Sequence, residues 1–382
     1  MGEEGVRVGT EIESTLGLWK GAHTDLNASL WDEDMMTADL SNGGKIFKQD
    51  ILARTFGRND AVSRVVNSFQ TWRHLIDEIS NVIDQLRKQR WDDDLEDIED
   101  DESLESRQNL LSKEDPQMLH NRLDSSLEKA FQELHTKLTA LVEQYKDSEY
   151  NGKISMYILR ILRDIRAELP TNPSLQKFGL SLIPSLHEKL ASTVSEKPVS
   201  TLAKSLKKKK VAGRALWEGS PELPVQPSPA TFKFLRILST SMADAGADLW
   251  SPIAIKVLKE HLCSQIGEQW SNILKEKENG NGDNPSTSDT PETESAEAKE
   301  TEENVPSVEA DAEKRNDLLK QSLFDIYLLQ QALQSENAED VLKKLGDEVE
   351  SELKLEASPR KRIVHGATEY WKRSSLLFAL LA

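Results

Sequence analysis

The chain has 382 residues, with 66 acidic against 48 basic side chains and a formal net charge of −18. That balance argues against a general nucleic-acid binder, which needs a net basic face to release counterions. A single cysteine, Cys263, excludes an internal disulfide and a Cys-rich zinc site, and fits a reducing compartment.

Residues 1–10 carry Glu3, Glu4 and Arg7 without an apolar stretch, so they do not read as a secretory signal. Residues 1–57 show no sustained period, with Trp19 and Trp31 as isolated anchors, and are expected to be loosely structured. The pattern then changes. Val62, Val65, Phe69, Trp72, Ile76, Ile79, Ile83 and Leu86 advance in alternating steps of three and four. This spacing predicts a long amphipathic helix over 58–91, and its stripe is a candidate seam for a partner helix. Val66, Leu75 and Val82 widen the stripe toward the breadth of a bundle helix.

Residues 92–114 form an acidic linker, opened by Asp92, Asp93, Asp94, Glu96 and Asp97, whose mutual repulsion opposes packing. It does not read as a calcium loop. Counting from Asp92, the sixth position is Asp97 where a Gly turns the loop, and the twelfth is Ser103 where a bidentate Glu closes it.

A helical bundle is expected over 115–214. Asp115-Pro116 reads as a helix start, followed by a stripe of Leu123, Leu127, Ala130, Leu134, Leu138, Leu141 and Tyr145. Asn151-Gly152 breaks it. A third helix carries Ile154, Ile158, Ile161, Ile165 and Leu169 and stops at Pro170; a fourth runs from about Ser174 with Leu182, Leu186 and Leu190 inward. Short connections between long helices imply antiparallel neighbours. The basic cluster Lys207, Lys208, Lys209, Lys210 and Arg214 is a candidate patch for an anionic partner or membrane, or a solvated helix end.

Four prolines among residues 215–229 predict an extended connection. Ser228-Pro229 and Ser251-Pro252 each read as a capping Ser followed by Pro at the first helical position, which predicts a helix pair over 230–274. Residues 275–311 are nearly devoid of apolar side chains and are expected to be a disordered acidic insertion. Helical pattern resumes over 312–382 through Leu319, Leu323, Phe324, Tyr327, Val341, Leu345 and Val349 to Tyr370 and Trp371. The run 376–382 is far shorter than the roughly 18 residues of a bilayer span. It is expected to dock on the bundle rather than dip into a membrane behind Lys372 and Arg373. Ser358-Pro359-Arg360-Lys361 is a weak phosphorylation motif.

The fold class expected is all-α: elongated, rod-like antiparallel helical bundles with disordered insertions. No catalytic constellation stands out. The phosphate-binding Gly-rich loop is missing, the seven histidines are dispersed, and Cys263 lies two residues from His261 on another helix face. Neither enzyme activity nor a cofactor or metal is expected. Abundant acidic charge leaves one other reading, an acidic helical chaperone or binder of basic proteins.

Several motifs in order carry a resemblance. Ala215-Leu216-Trp217-Glu218-Gly219-Ser220-Pro221 comes first, then residues 232–238 with Met242, Gly246, Asp248, Leu249 and Trp250. Leu323-Phe324-Asp325-Ile326-Tyr327-Leu328 and Arg373-Ser374-Ser375-Leu376-Leu377-Phe378-Ala379-Leu380 follow. Together they resemble the downstream half of subunit 1 of the conserved oligomeric Golgi complex (COG) over residues 215–382. The family's helical N-terminal region, through which it joins the first lobe of the complex, has no counterpart before Gly57. The resemblance implies a non-catalytic tethering scaffold, peripheral on the cytosolic face of the Golgi membrane. It would bind other subunits, especially subunit 8, and work with SNAREs, Rab GTPases and golgins in intra-Golgi retrograde transport and the maintenance of glycosylation.

Overall fold

The computed structural model describes residues 2–18, 51, 55–88, 115–170, 172–207, 214–279, 308–334 and 339–381. The acidic linker, Lys208 to Lys210, Trp19, Trp31 and most of the polar insertion lie outside them. The described residues form an all-α protein with ten helices and one pair of two-residue strands. They fall into two compact units. Residues 1–190 with 244–249 make the first, and 191–243 with 250–382 the second.

The first unit begins with α1 (Gly2–Leu18), where loose structure was expected. Val8, Ile12 and Leu16 are buried from it against α2 (Asp60–Lys88) and α3 (Asp115–Gln144). The helix forms because its apolar stripe is completed by two neighbours, a gain that local propensity does not register. Asn59 starts α2, its Oδ1 accepting the Val62 N–H at 3.0 Å. Helices α2 and α3 run antiparallel, since Trp72 meets Phe131 at 5.3 Å between ring centroids while Ile83 and Leu86 share a groove with Leu119 and Leu123. Phe69, Trp72, Phe131 and Phe178 form the aromatic centre of this core.

Helix α4 (Asn151–Ala167) is buried around nearly its whole circumference, including Arg160 and Asp164. It ends before the expected stop at Pro170. The next helix does not start at Ser174. A short 3-10 turn (Leu175–Lys177) comes first, and the chain reverses at Gly179, whose φ of +73° and contact with the Leu162 side chain exclude a helix interior there. The Arg166 guanidinium holds this reversal by donating to the carbonyls of Gln176 and Phe178. Helix α5 (Ile183–Lys207) follows and contributes residues to both units.

In the second unit the proline-rich connection is not wholly irregular. It folds as a tight hairpin of β1 (Trp217–Glu218) and β2 (Leu223–Pro224), where no strand alternation marks the residues. Both serine caps form as expected. The Ser228 hydroxyl accepts the Thr231 N–H at the start of α6 (Pro229–Ala245), and the Ser251 hydroxyl accepts that of Ala254 at the start of α7 (Pro252–Asn279). Helices α7 and α8 (Val308–Ala332) each extend into the expected insertion, whose central residues 280–307 lie outside the described set.

Helix α8 packs against α9 (Glu339–Leu353) and α10 (Ala357–Ser374), with Leu323, Phe324, Ile326, Leu328 and Leu329 fully buried. Tyr327 of α8 donates to Glu350 of α9, which also pairs with Arg360 of α10 at 2.7 Å. Cys263 is buried on α7 with its sulfur 3.9 Å from the Leu333 carbonyl oxygen, and burial pushes its thiol up to about 12.

Candidate partner-helix interface

The stripe on α2 is not uniform in its surroundings. Val62, Val65, Phe69, Trp72, Ile76 and Ile83 are buried. Ile79, Leu86 and Leu75 are only half-buried, and Val82 is 54% exposed. The reason is helix length. At about 1.5 Å per residue, the 29 residues of α2 span about 43 Å and the 17 of α4 about 25 Å. The end of α4 meets α2 near its middle, where Gln70 donates to the Glu168 carboxylate at 2.8 Å and Arg73 to the Glu168 carbonyl at 3.2 Å. Beyond that point α2 keeps α3 as its packed neighbour among the described helices of this unit.

The result is an apolar groove of about 540 Å³ between α2 and α3. Leu75, Ile79, Val82 and Leu86 line one wall and Leu119 and Leu123 the other, with Glu78 and Arg122 on the polar rim. From Leu75 to Leu86 it extends about 16 Å, three helical turns. An amphipathic helix placing apolar side chains at i, i+3 or i+4 and i+7 fits such a trough. The candidate seam therefore builds the unit's core through Val62, Phe69, Trp72, Ile76 and Ile83, while Ile79 and Leu86 line a groove left uncovered among the described residues.

The other candidates fare differently. Lys207 is exposed at the end of α5, while Lys208, Lys209 and Lys210 lie outside the described residues. Arg214 does not stand free for an outside anion. It pairs with Glu313 at 2.6 Å and Asp317 at 2.5 Å, and these two acids raise its pKa further. Its guanidinium and the Lys320 ammonium also lie 5.9 and 5.8 Å from the centre of the Trp217 ring.

Most of the motif residues serve the fold. Leu249, Leu323, Phe324 and Phe378 are core side chains, and the buried Trp250 donates its indole N–H to the Met242 carbonyl at 2.8 Å. Pro221 is exposed in the turn of the hairpin, where its carbonyl accepts Arg362. Leu376 is the exception, with its side chain in solvent. The expected docking of this terminal run is therefore partial: Phe378 and Leu381 are inside, Leu376 and Leu377 outside.

Sequence reading missed a cluster of five charges in the first unit. Arg160 grips Asp248 with two hydrogen bonds of 2.9 Å, and Arg163 reaches the same carboxylate at 2.6 Å. Asp164 joins Arg163 and Arg58, each at 2.9 Å. The available signal was a pair of charges, Arg160 and Asp164, four apart on a helix otherwise apolar on most sides. Among the described residues no group of three or more His, Cys, Asp or Glu side chains is placed to hold a metal ion, and no helix is long and apolar enough to cross a membrane.

Neither a protein-family model, nor a curated protein, nor a solved structure matches the chain.

Proposed function

We propose that this chain is a non-catalytic scaffold subunit of a vesicle-tethering complex of the conserved oligomeric Golgi type, corresponding to its subunit 1. In this reading it sits peripherally on the cytosolic face of the Golgi membrane and joins other subunits, subunit 8 above all, by helix-to-helix contact. Through them it serves SNAREs, Rab GTPases and golgins in retrograde transport within the Golgi.

The family reading rests on the resemblance of the ordered motifs over residues 215–382. The observation that carries the scaffold role is the apolar α2–α3 groove, three turns long and uncovered on one side among the described residues. A chain that keeps this much aliphatic surface exposed between two otherwise well-packed helices is suited to receive a helix from another polypeptide. The acidic-binder alternative rests on the net charge of −18 and on residues 92–102, which lie outside the described set.

Affinity purification of the tagged chain from its own cells, with mass spectrometry of what co-purifies, tests the proposal. Subunit 8 and its partners should be recovered with the natural chain and depleted with Val82→Glu. Recovery of none of these subunits would remove the Golgi-tether reading. Equal recovery with Val82→Glu would remove the groove from it.

A further inference from the structure

Helix α10 differs in charge from the chain that carries it. It has Arg360, Lys361, Arg362, Lys372 and Arg373 against a single acid, Glu369, in a protein of net charge −18. Arg360 is neutralised by Glu350, and Lys372 pairs with Glu369 at 2.9 Å. The others keep their charge. Arg362 donates to the carbonyl oxygens of Glu218, Ser220 and Pro221, Arg373 donates to that of Glu369, and Lys361 is exposed. Eleven residues are almost a whole number of helical turns, so Lys361 and Lys372, and Arg362 and Arg373, recur on one face.

That face ends in two leucines held in water. The 3-10 turn Ser375–Phe378 is fixed from behind, because Phe378 stacks on Trp371 with ring centroids 6.1 Å apart and meets Phe232 edge-on. Leu381 is buried beyond it. Just before these anchors Leu376 is 86% exposed and Leu377 67%. One turn back, Tyr370 and Trp371 are half-buried. On α6, Lys233 and Arg236 are exposed beside Phe232.

We propose that this corner of the second unit is a contact for an anionic lipid surface. Leu376 and Leu377 enter the boundary of the acyl layer while Lys361, Arg362 and Arg373 lie among negative headgroups. Aliphatic tip, aromatic collar and cationic flank follow the order in which a bilayer interface presents hydrocarbon, its boundary and charge. Juxtaposed Lys and Arg add attraction to an anionic leaflet. Two protruding leucines cover far less than the roughly 800 Å² per partner of a standard protein interface, which favours lipid over a protein groove. This inference does not depend on the subunit assignment.

Co-sedimentation of the full chain with phosphatidylcholine vesicles, with and without phosphatidylserine, tests it. The chain should sediment with the phosphatidylserine vesicles and lose that binding as salt rises. Leu376→Ser with Leu377→Ser should weaken binding about tenfold or more with an unchanged melting temperature, since both side chains are already in water. Lys361→Glu with Arg373→Glu should weaken it on phosphatidylserine by a similar factor. Failure to sediment with either vesicle, or equal binding by the leucine variant, overturns the proposal; in either case the two leucines are left for a protein partner.

Discussion

Arg160 and Asp248 face each other through two parallel hydrogen bonds of 2.9 Å, and their side chains are 0% and 2% exposed. A bidentate pair of this kind is strong when complete and costly when halved. The Ala245 carbonyl and Arg163 complete the surroundings, so neither partner is left with unmet bonding capacity. Asp248→Ala strands a buried guanidinium and should cost about 3–5 kcal/mol in urea denaturation. A loss under about 1 kcal/mol would show that water reaches the arginine in the variant.

Gly57 sets the same arginine in place. Its φ is +65°, and a Cβ built there would lie 1.9 Å from the Arg160 Nε. Gly57→Ala should therefore destabilise by about 2 kcal/mol or more, combining backbone strain with displacement of the guanidinium. Gly366 on α10 offers the control. A Cβ there meets only Phe324 at 3.4 Å, so Gly366→Ala should be neutral or gain up to about 1 kcal/mol of helix propensity in the same melts.

The two halves of the α2 stripe should respond oppositely to charge. Ile76, 2% exposed, lies in the covered half, and Ile76→Asp should cost several kcal/mol by burying an unpaired carboxylate. Val82→Asp should change stability by about 0.5 kcal/mol or less while removing the capture of partner subunits. Thermal melts and pull-downs on the two variants check this. Equal destabilisation by both would mean that the groove is filled within the chain.

A pH dependence attaches to Asp325. This carboxylate accepts hydrogen bonds from the Ser228 N–H, the Thr231 hydroxyl and the Gln321 amide, and so caps the start of α6. Burial nonetheless pushes its pKa up from 3.8 to about 6, against the lowering effect of those bonds. The folded chain thus holds this proton more tightly than the unfolded chain does. The stability it contributes is full below the unfolded value and is lost as pH rises through about 6, a change of about 3 kcal/mol. Asp325→Asn cannot titrate, so the stability of the natural chain minus that of the variant should fall by about that amount between pH 4 and 7. A flat difference would show that the carboxyl is ionised throughout.

Local signals in the sequence carried far. The caps at Ser228 and Ser251 were legible because a capping hydroxyl and its N–H lie within three residues of each other. The α2 stripe was legible because its period is internal to one helix. Which half of that stripe is covered was not, because it depends on how far α4 reaches, and only the folded chain brings Glu168 beside Arg73. Arg160 and Asp248 are 88 residues apart, with no shared pattern to link them. Helix α1 was hidden for another reason. Val8, Ile12 and Leu16 have helical spacing, but Gly2, Gly5, Gly9 and Gly17 dilute its propensity. At Gly9 the Lys137 side chain lies where a Cβ would stand, so one of those glycines also makes room for a neighbour.

The buried Cys263 makes the second unit report on its own integrity. Closed, the thiol is shielded and almost wholly protonated at neutral pH, so an alkylating reagent meets neither access nor thiolate. Each opening of the packing around Cys263 and Leu333 exposes the chain's sole sulfhydryl for the lifetime of that opening. Labelling by a thiol reagent therefore becomes a clock for breathing of this unit, readable in native buffer without an introduced cysteine, and any partner that tightens the unit would slow it.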